Sequence, residues 1–154
     1  PEVVAGIVSQ GQRSHLRHAR LYDTHYVCAM RRGHPLADRA LTLEVFCEAR
    51  HLLVSFSGQP HEFADEALAA LGRRRRVVLT VNQFFTAGLV VARSDLLTVL
   101  PAGFAEAAGF GARLLTRELP LDLGPVQVEM VWHLRRDADP AHHWLREQMR
   151  AVVG

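Results

Sequence analysis

From Leu52 to Leu119 short apolar runs alternate with helical patterns, and the links between them hold only a few residues. Strands joined in this way by helices run parallel, and a parallel sheet is covered on both faces. Leu52 to Phe56 is a compact apolar strand, closed by the turn residues Ser57, Gly58, Gln59 and Pro60. A helix is predicted over Glu62 to Leu71, with Phe63, Ala67, Leu68 and Leu71 on one face and Gly72 placed to end it. Val77 to Val81 reads as a second strand. Asn82 is then a candidate cap for a helix from Gln83 to about Arg93, which is apolar nearly all round and so expected to be buried. Leu96 to Leu100, closed by Pro101, is a third strand. A short helix over Phe104 to Ala108, a Gly-Phe-Gly turn and a fourth strand near Arg113 to Leu119 complete the pattern. The fold class is therefore α/β, with a three-layer lobe built on a parallel sheet and spanning residues 36–126.

The outer segments do not fit that lobe. Val3 to Val8 is a short apolar run, succeeded by a polar stretch with His15 and His18. Leu21 to Met30 reads as extended, and Gly33 and Pro35 punctuate the chain just after it. Near the other end, Val126, Val128, Met130, Trp132 and Leu134 alternate with mostly polar residues, the mark of a half-buried strand. Asp139-Pro140 is an N-cap with proline at the first helical position, and Trp144, Leu145, Met149 and Val152 share the apolar face of the helix it opens. Residues 1–35 and 127–154 are expected to form a second lobe, reached by two chain crossings. Its few elements supply little core, so this first lobe is expected to be incomplete and the chain, which opens on Pro1, to be a fragment.

Composition narrows the function. At 154 residues and 49% hydrophobic, the chain can bury a core and is not a disordered segment. The formal net charge is only +2, which argues against nucleic-acid binding by charge alone. Arg73 to Arg76 come directly after a helix end, where cations favour the dipole, and are expected to be a solvated terminus. The two cysteines, Cys28 and Cys47, have no metal or redox spacing and are expected to be buried, reduced thiols of a cytoplasmic protein. No apolar run reaches the roughly 18 residues of a membrane span. The histidines show no HExxH arrangement, no Cys-x-x-Cys accompanies them, and there is no G-x-S-x-G elbow, P-loop or G-x-G-x-x-G. The reading is of a protein that is not an enzyme, with no catalytic residues, no metal site and no cofactor.

Ligands of open parallel sheets bind beyond the carboxyl ends of the strands. There the sequence places Ser55, Phe56, Ser57 and His61 after the first strand, Asn82, Gln83, Phe84, Phe85 and Thr86 after the second, and Pro101 and Ala102 after the third. Two helix N-termini at this edge would aim N–H groups at a carboxylate, and Phe56, Phe84 and Phe85 offer stacking surface. The plainer alternatives stay open: Ser57 and Asn82 as helix caps, Phe84 as core, His61 as a solvated turn residue, Trp132 and His133 as structural residues.

Several stretches resemble the effector-binding domain of LysR-type transcription regulators. Tyr26-Val27-Cys28 with Arg32-Gly33-His34-Pro35-Leu36-Ala37 after it, then Leu41 to Glu44, Ser94 to Pro101, and Trp132-His133 with Arg136 to Arg146, occur in the family's order and spacing over about residues 20–153. The last stretch is similar to the branch that includes regulators of aromatic degradation and nodulation. The resemblance implies a two-lobed fold like that of type 2 periplasmic binding proteins, a small organic effector held in a cleft between the lobes, and a homo-oligomer. DNA would be bound only through an N-terminal winged helix-turn-helix that this chain does not contain. It also implies effector contacts at His61 and at the position of Gln83, where the branch often has histidine, and at Val131, a position often aromatic. The site expected from strand ends and resemblance together is Phe56, Ser57, His61, Gln83, Phe84 and Val131. A periplasmic solute-binding fragment and an unrelated α/β enzyme fragment are the alternatives.

Overall fold

The computed structural model describes residues 3–7, 15–56 and 62–153. The chain divides into two compact units, one formed by Pro1–Thr24 with Pro125–Gly154 and the other by His25–Gly124.

In the larger unit the strands are β3 (Tyr26–Arg31), β4 (Arg50–Val54), β5 (Arg76–Val81), β6 (Thr98–Pro101) and β7 (Leu114–Glu118). The helices are α1 (Leu43–Glu48), α2 (Phe63–Ala70), α3 (Phe84–Val91) and α4 (Phe104–Ala107). β4 and β5 pair in parallel. A parallel bridge between His51 and Leu97 joins β4 to the start of β6, with Leu52 N donating to Leu97 O (2.8 Å) and Leu97 N to Arg50 O (2.9 Å). The sheet order is thus β5-β4-β6-β3-β7. The parallel relation of the three apolar strands is as the sequence implied.

One strand departs from the expectation. The sequence pattern assigns the extended stretch Leu21–Met30 to the outer segments as a single element. In the structure it breaks at His25 into two strands that belong to different units, and β3 lies antiparallel between β6 and β7. The larger unit therefore begins at His25 rather than at residue 36. The reason is burial: Tyr26, Val27, Cys28, Ala29 and Met30 are all buried, which only a central strand allows.

Ala29, Leu52, Val54 and Leu100 meet Ala87 and Val91 of α3, together with Phe110 and Leu114, in the core on one face of the sheet. α3 itself is not fully buried: Ala87, Gly88 and Val91 face inward while Phe85 is 52% exposed. Its N-cap is Gln83, not Asn82. α2 buries Ala64 and Leu68 rather than the face through Phe63 and Leu71, both of which are exposed, and Gly72 ends it in the left-handed conformation (φ +65°).

Beside α2 lies a buried polar cluster. The Arg75 guanidinium, expected to be solvated, is buried and forms a two-pronged ion pair with Asp65 (2.8 Å for each contact). Burial alone would raise the Asp65 carboxyl, but the Arg75 hydrogen bonds and charge hold it below its usual value. His51, fully buried, places Nε2 2.6 Å from the carbonyl of Phe46, so that nitrogen carries the proton and donates. Its Nδ1 is left with no hydrogen-bond partner.

The smaller unit is a three-stranded antiparallel sheet, β1 (Val3–Ile7), β8 (Val126–His133) and β2 (Leu16–Thr24), in the order β1-β8-β2. β8 shows the expected alternation, with Val126, Val128, Met130 and Trp132 buried. α5 (Pro140–Val153) comes after a 3-10 turn at Leu134–Arg136, and Asp139 Oδ1 accepts from Ala141 N (3.0 Å) as its cap. The helix presents a different face from the one its apolar residues predict. Trp144 is 63% and Val152 85% exposed, whereas Arg146 is 4% exposed. Arg146 is held because its guanidinium donates to the carbonyls of Arg136 (3.3 Å) and Asp137 (2.9 Å) and lies over the Trp132 ring, 4.7 Å from its centroid. The Trp132 indole N–H donates to Asp137 Oδ1 (3.0 Å), which closes the arrangement.

Burial, and then the Arg75 charge, push the His51 imidazole down to about 4 from 6.5. A depressed folded-state value means that the neutral ring's contribution is complete above pH 6.5 and is lost as pH falls toward 4. The shift corresponds to about 3 kcal/mol. Denaturant unfolding of the chain should show this loss between pH 6.5 and 4, and His51→Gln should flatten the profile in that window. Equal slopes for parent and variant would show that His51 is not buried neutral.

Candidate functional site

The carboxyl ends of β4, β5 and β6 lie at one edge of the larger unit, and an aromatic series rises there from core to solvent. Phe104, at the start of α4, and Phe84, at the start of α3, pack against the core with ring centroids 5.7 Å apart. Phe56 lies just past the end of β4, is 69% exposed, and meets Phe84 edge-on at 5.3 Å. Phe84 is thus both core and rim.

The two helix N-termini at this edge are not equivalent. At α2, Glu62 and Asp65 form a capping box in which Glu62 N donates to Asp65 Oδ2 (2.9 Å), and Glu66 adds a further acidic group to the first turn. Those donors are occupied, and the carboxylates repel an anion. At α3 no side chain caps the first turn and no acidic residue lies in it. The sequence expectation of two receptive N-termini reduces to one.

Because β3 begins at the same edge, with Tyr26 opposite Pro101, it brings residues that the sequence reading did not place there. Tyr26 is buried and stacked on Phe63 at 4.3 Å. Its hydroxyl is pushed up to about 12 by burial, with the Glu62 charge adding to the effect. His25 Nε2 lies 3.4 Å from Glu118 Oε1. No sequence signal marked these groups, since their position results from the antiparallel insertion of β3.

Of the expected site residues, Phe56, Gln83 and Phe84 come together at this edge. Ser57 and His61 lie outside the described residues. Val131 belongs to the other unit, half-buried on β8 opposite His18 of β2, whose Nδ1 is 3.1 Å from Glu129 Oε2. Trp132 serves structure through Arg146 and Asp137, and the His133 ring nitrogen Nδ1 accepts from Arg135 N (3.1 Å). Among the described residues no group of three or more His, Cys, Asp or Glu side chains could hold a metal ion.

The model of the LysR substrate binding domain matches residues 4–154. The chain belongs to that family. It is 36% identical over 132 residues to the HTH-type transcriptional activator NahR of Pseudomonas putida, covering 84% of this chain and 43% of that protein. The regulatory domain of MexT, a transcriptional activator in Pseudomonas aeruginosa, superposes with a TM-score of 0.81 at 29% identity, covering 97% of this chain and 72% of that one. The effector binding domain of QuiR, solved in complex with shikimate, shares the fold (TM-score 0.76, 10% identity, 99% of this chain and 71% of that one). The chain spans about half the length of the curated relatives it matches. Its α/β architecture is that of LysR regulatory domains.

The azimuth of α3, and with it the placing of Gln83 and Phe84, rests on a close approach. A Cβ on Gly88 would stand 2.6 Å from the ring of the buried Phe110, which in turn meets Phe85 at 5.2 Å. Gly88→Ala should therefore cost roughly 1–3 kcal/mol by overpacking, read as a lowered denaturation midpoint. An unchanged midpoint would mean that Phe110 does not seat α3.

Proposed function

We propose that the intact protein is a cytoplasmic, DNA-binding transcription regulator of the LysR type, and that this chain is its sensor for a small aromatic or carboxylate-bearing metabolite. The observation that carries the reading is the exposed Phe56–Phe84 edge beside the uncapped first turn of α3. An aromatic ring would lie against Phe56 and Phe84. A carboxylate would accept from the first N–H groups of α3 and from the Gln83 side-chain amide. Ser57 and His61 are proposed as donors from the segment after β4, and Val131 as a contact on the strength of the family resemblance. The shikimate complex of QuiR, a carboxylate-bearing ring on the same fold, supports a ligand of this size and charge.

The protein is not proposed to be an enzyme, because its role is to report binding. The DNA-binding part would be supplied by the remaining length of a regulator such as the HTH-type relatives. A homo-oligomer is part of the proposal. The edge strand β5 pairs only with β4 among the described residues and exposes Val78 and Leu79, a pattern that favours association. Light scattering should give a mass above that of one chain, and a strictly monomeric mass at high concentration would refute this part.

The ligand test uses the full-length regulator, a panel of benzoate derivatives and ring carboxylates, and calorimetry. Gln83→Ala and His61→Ala should each weaken the bound compound by roughly tenfold to a hundredfold, as expected for loss of about 1–3 kcal/mol of hydrogen bonding. Parental affinity in both variants, with folding intact, would show that the site is elsewhere.

A further inference from the structure

The edge of the larger unit opposite the candidate site carries a row of arginines. Every strand except β6 contributes, because the residues that begin β4 and β5, the one before β7 and those that end β3 all fall there. Arg50 and Arg76 face each other directly across the β4–β5 pair. Arg31 pairs with Leu114 in the β3–β7 ladder, and Arg32 N donates to the carbonyl of Arg113 (2.9 Å), which places Arg32 and Arg113 together at the far end. Arg93 lies just past the lower end of α3, and Arg74 just past α2.

Only part of this charge is neutralised. Arg31 is held by Asp95 (2.6 Å), and Arg73 lies 3.7 Å from Glu44. Arg50, Arg74, Arg76, Arg93 and Arg113 are exposed and form no ion pair among the described residues. The Arg50–Arg76 juxtaposition is repulsive and destabilises the sheet slightly. Glu62, Glu66 and Glu118 lie at the opposite edge, whereas Glu44, Glu48 and Asp95 stay near the arginines and are outnumbered by them, so a net charge of +2 conceals an edge with an excess of positive charge. At about 4.8 Å between neighbouring strands, the five-stranded edge extends over about 20 Å.

We propose that this arginine edge binds the phosphate backbone of double-stranded DNA without reading its sequence. A row of guanidinium groups suits successive phosphates. A protein partner is less well matched, since stable protein interfaces have an apolar, charge-depleted centre. Ala49, Ser94 and Ala112, which lie among these arginines, are too small to form one. The choice of DNA rests on the reading of the intact protein as a DNA-bound regulator, in which this edge would meet DNA already held nearby and a weak contact would suffice.

The test measures fluorescence anisotropy of a labelled duplex of arbitrary sequence titrated with the 154-residue chain. Three phosphate contacts predict an affinity loss of about twentyfold between about 50 and 150 mM salt. Arg50→Gln/Arg76→Gln should lower the salt slope by nearly two and melt no lower than the parent, since the two charges repel. Arg17→Gln/Arg150→Gln, on the other unit, should leave the slope unchanged. No binding at the lowest salt, an equal loss in the control pair, or a preference for polyglutamate over the duplex would each overturn the proposal. Duplex binding by this chain needs no effector, so its failure leaves the ligand site standing, and failure of the ligand site leaves the arginine edge testable.

Discussion

A strand buried on both faces must find partners for its backbone on both edges, and Tyr26–Arg31 finds them between β6 and β7. The other four strands of the larger unit all run one way. β6 and β7 have the same direction, and the antiparallel β3 fills the gap between them. Without β3, β7 would be detached and Leu114 would lose its place in the core. The insertion also decides what stands at each edge. It brings His25 and Tyr26 to the side of the candidate ligand site and Arg31 and Arg32 to the side of the arginine row.

This dependence explains where sequence reading succeeded and where it stopped. The strand–helix alternation after Arg50 is local: each apolar run and each helix face announces itself within a dozen residues, and β4, β5, β6 and β7 fall close to their expected places. The position of β3 is non-local. Leu21–Met30 reads as one extended segment because the break at His25 has no glycine or proline to mark it. Its two halves join different units only because their partners lie about 70 to 110 residues away. α5 shows a second limit. Its periodicity correctly gave a helix, but Arg146 outcompetes Trp144 for the sheet because two carbonyls and an indole ring satisfy the guanidinium. Hydrophobicity ranks side chains without knowing what partners await them.

The candidate site was legible in outline and not in balance. Strand carboxyl ends and phenylalanines are visible in the sequence, and Phe56, Gln83 and Phe84 do converge. That α2 is closed to an anion and α3 open was not legible. Glu62 and Asp65 close the first turn of α2 through hydrogen bonds that a sequence pattern suggests only when the helix start is known to the residue. The consequence for the proposed ligand is chemical: donors for a carboxylate would stand at one position on this edge, beside the aromatic surface. A ring bearing its acidic group close to the ring would then fit better than one with a long spacer.

Charge makes the same point at the scale of the whole lobe. Composition reports +2, a total that is silent about nucleic acid. Topology redistributes that charge, because β4 and β5 open on arginines and β3 and the helices α2 and α3 lead into them at the same side of the sheet, while Glu62, Glu66 and Glu118 collect at the other. Arg75 shows that this is not a uniform property of the arginine run from Arg73 to Arg76. It turns inward to Asp65 and stabilises α2 against the sheet, while Arg74 and Arg76 remain in solvent. One guanidinium of the run is therefore a buried structural cation and its neighbours are free surface charge. Only the neighbours are free to act on a partner, from an edge where the exposed arginines outnumber the acidic side chains Glu44, Glu48 and Asp95.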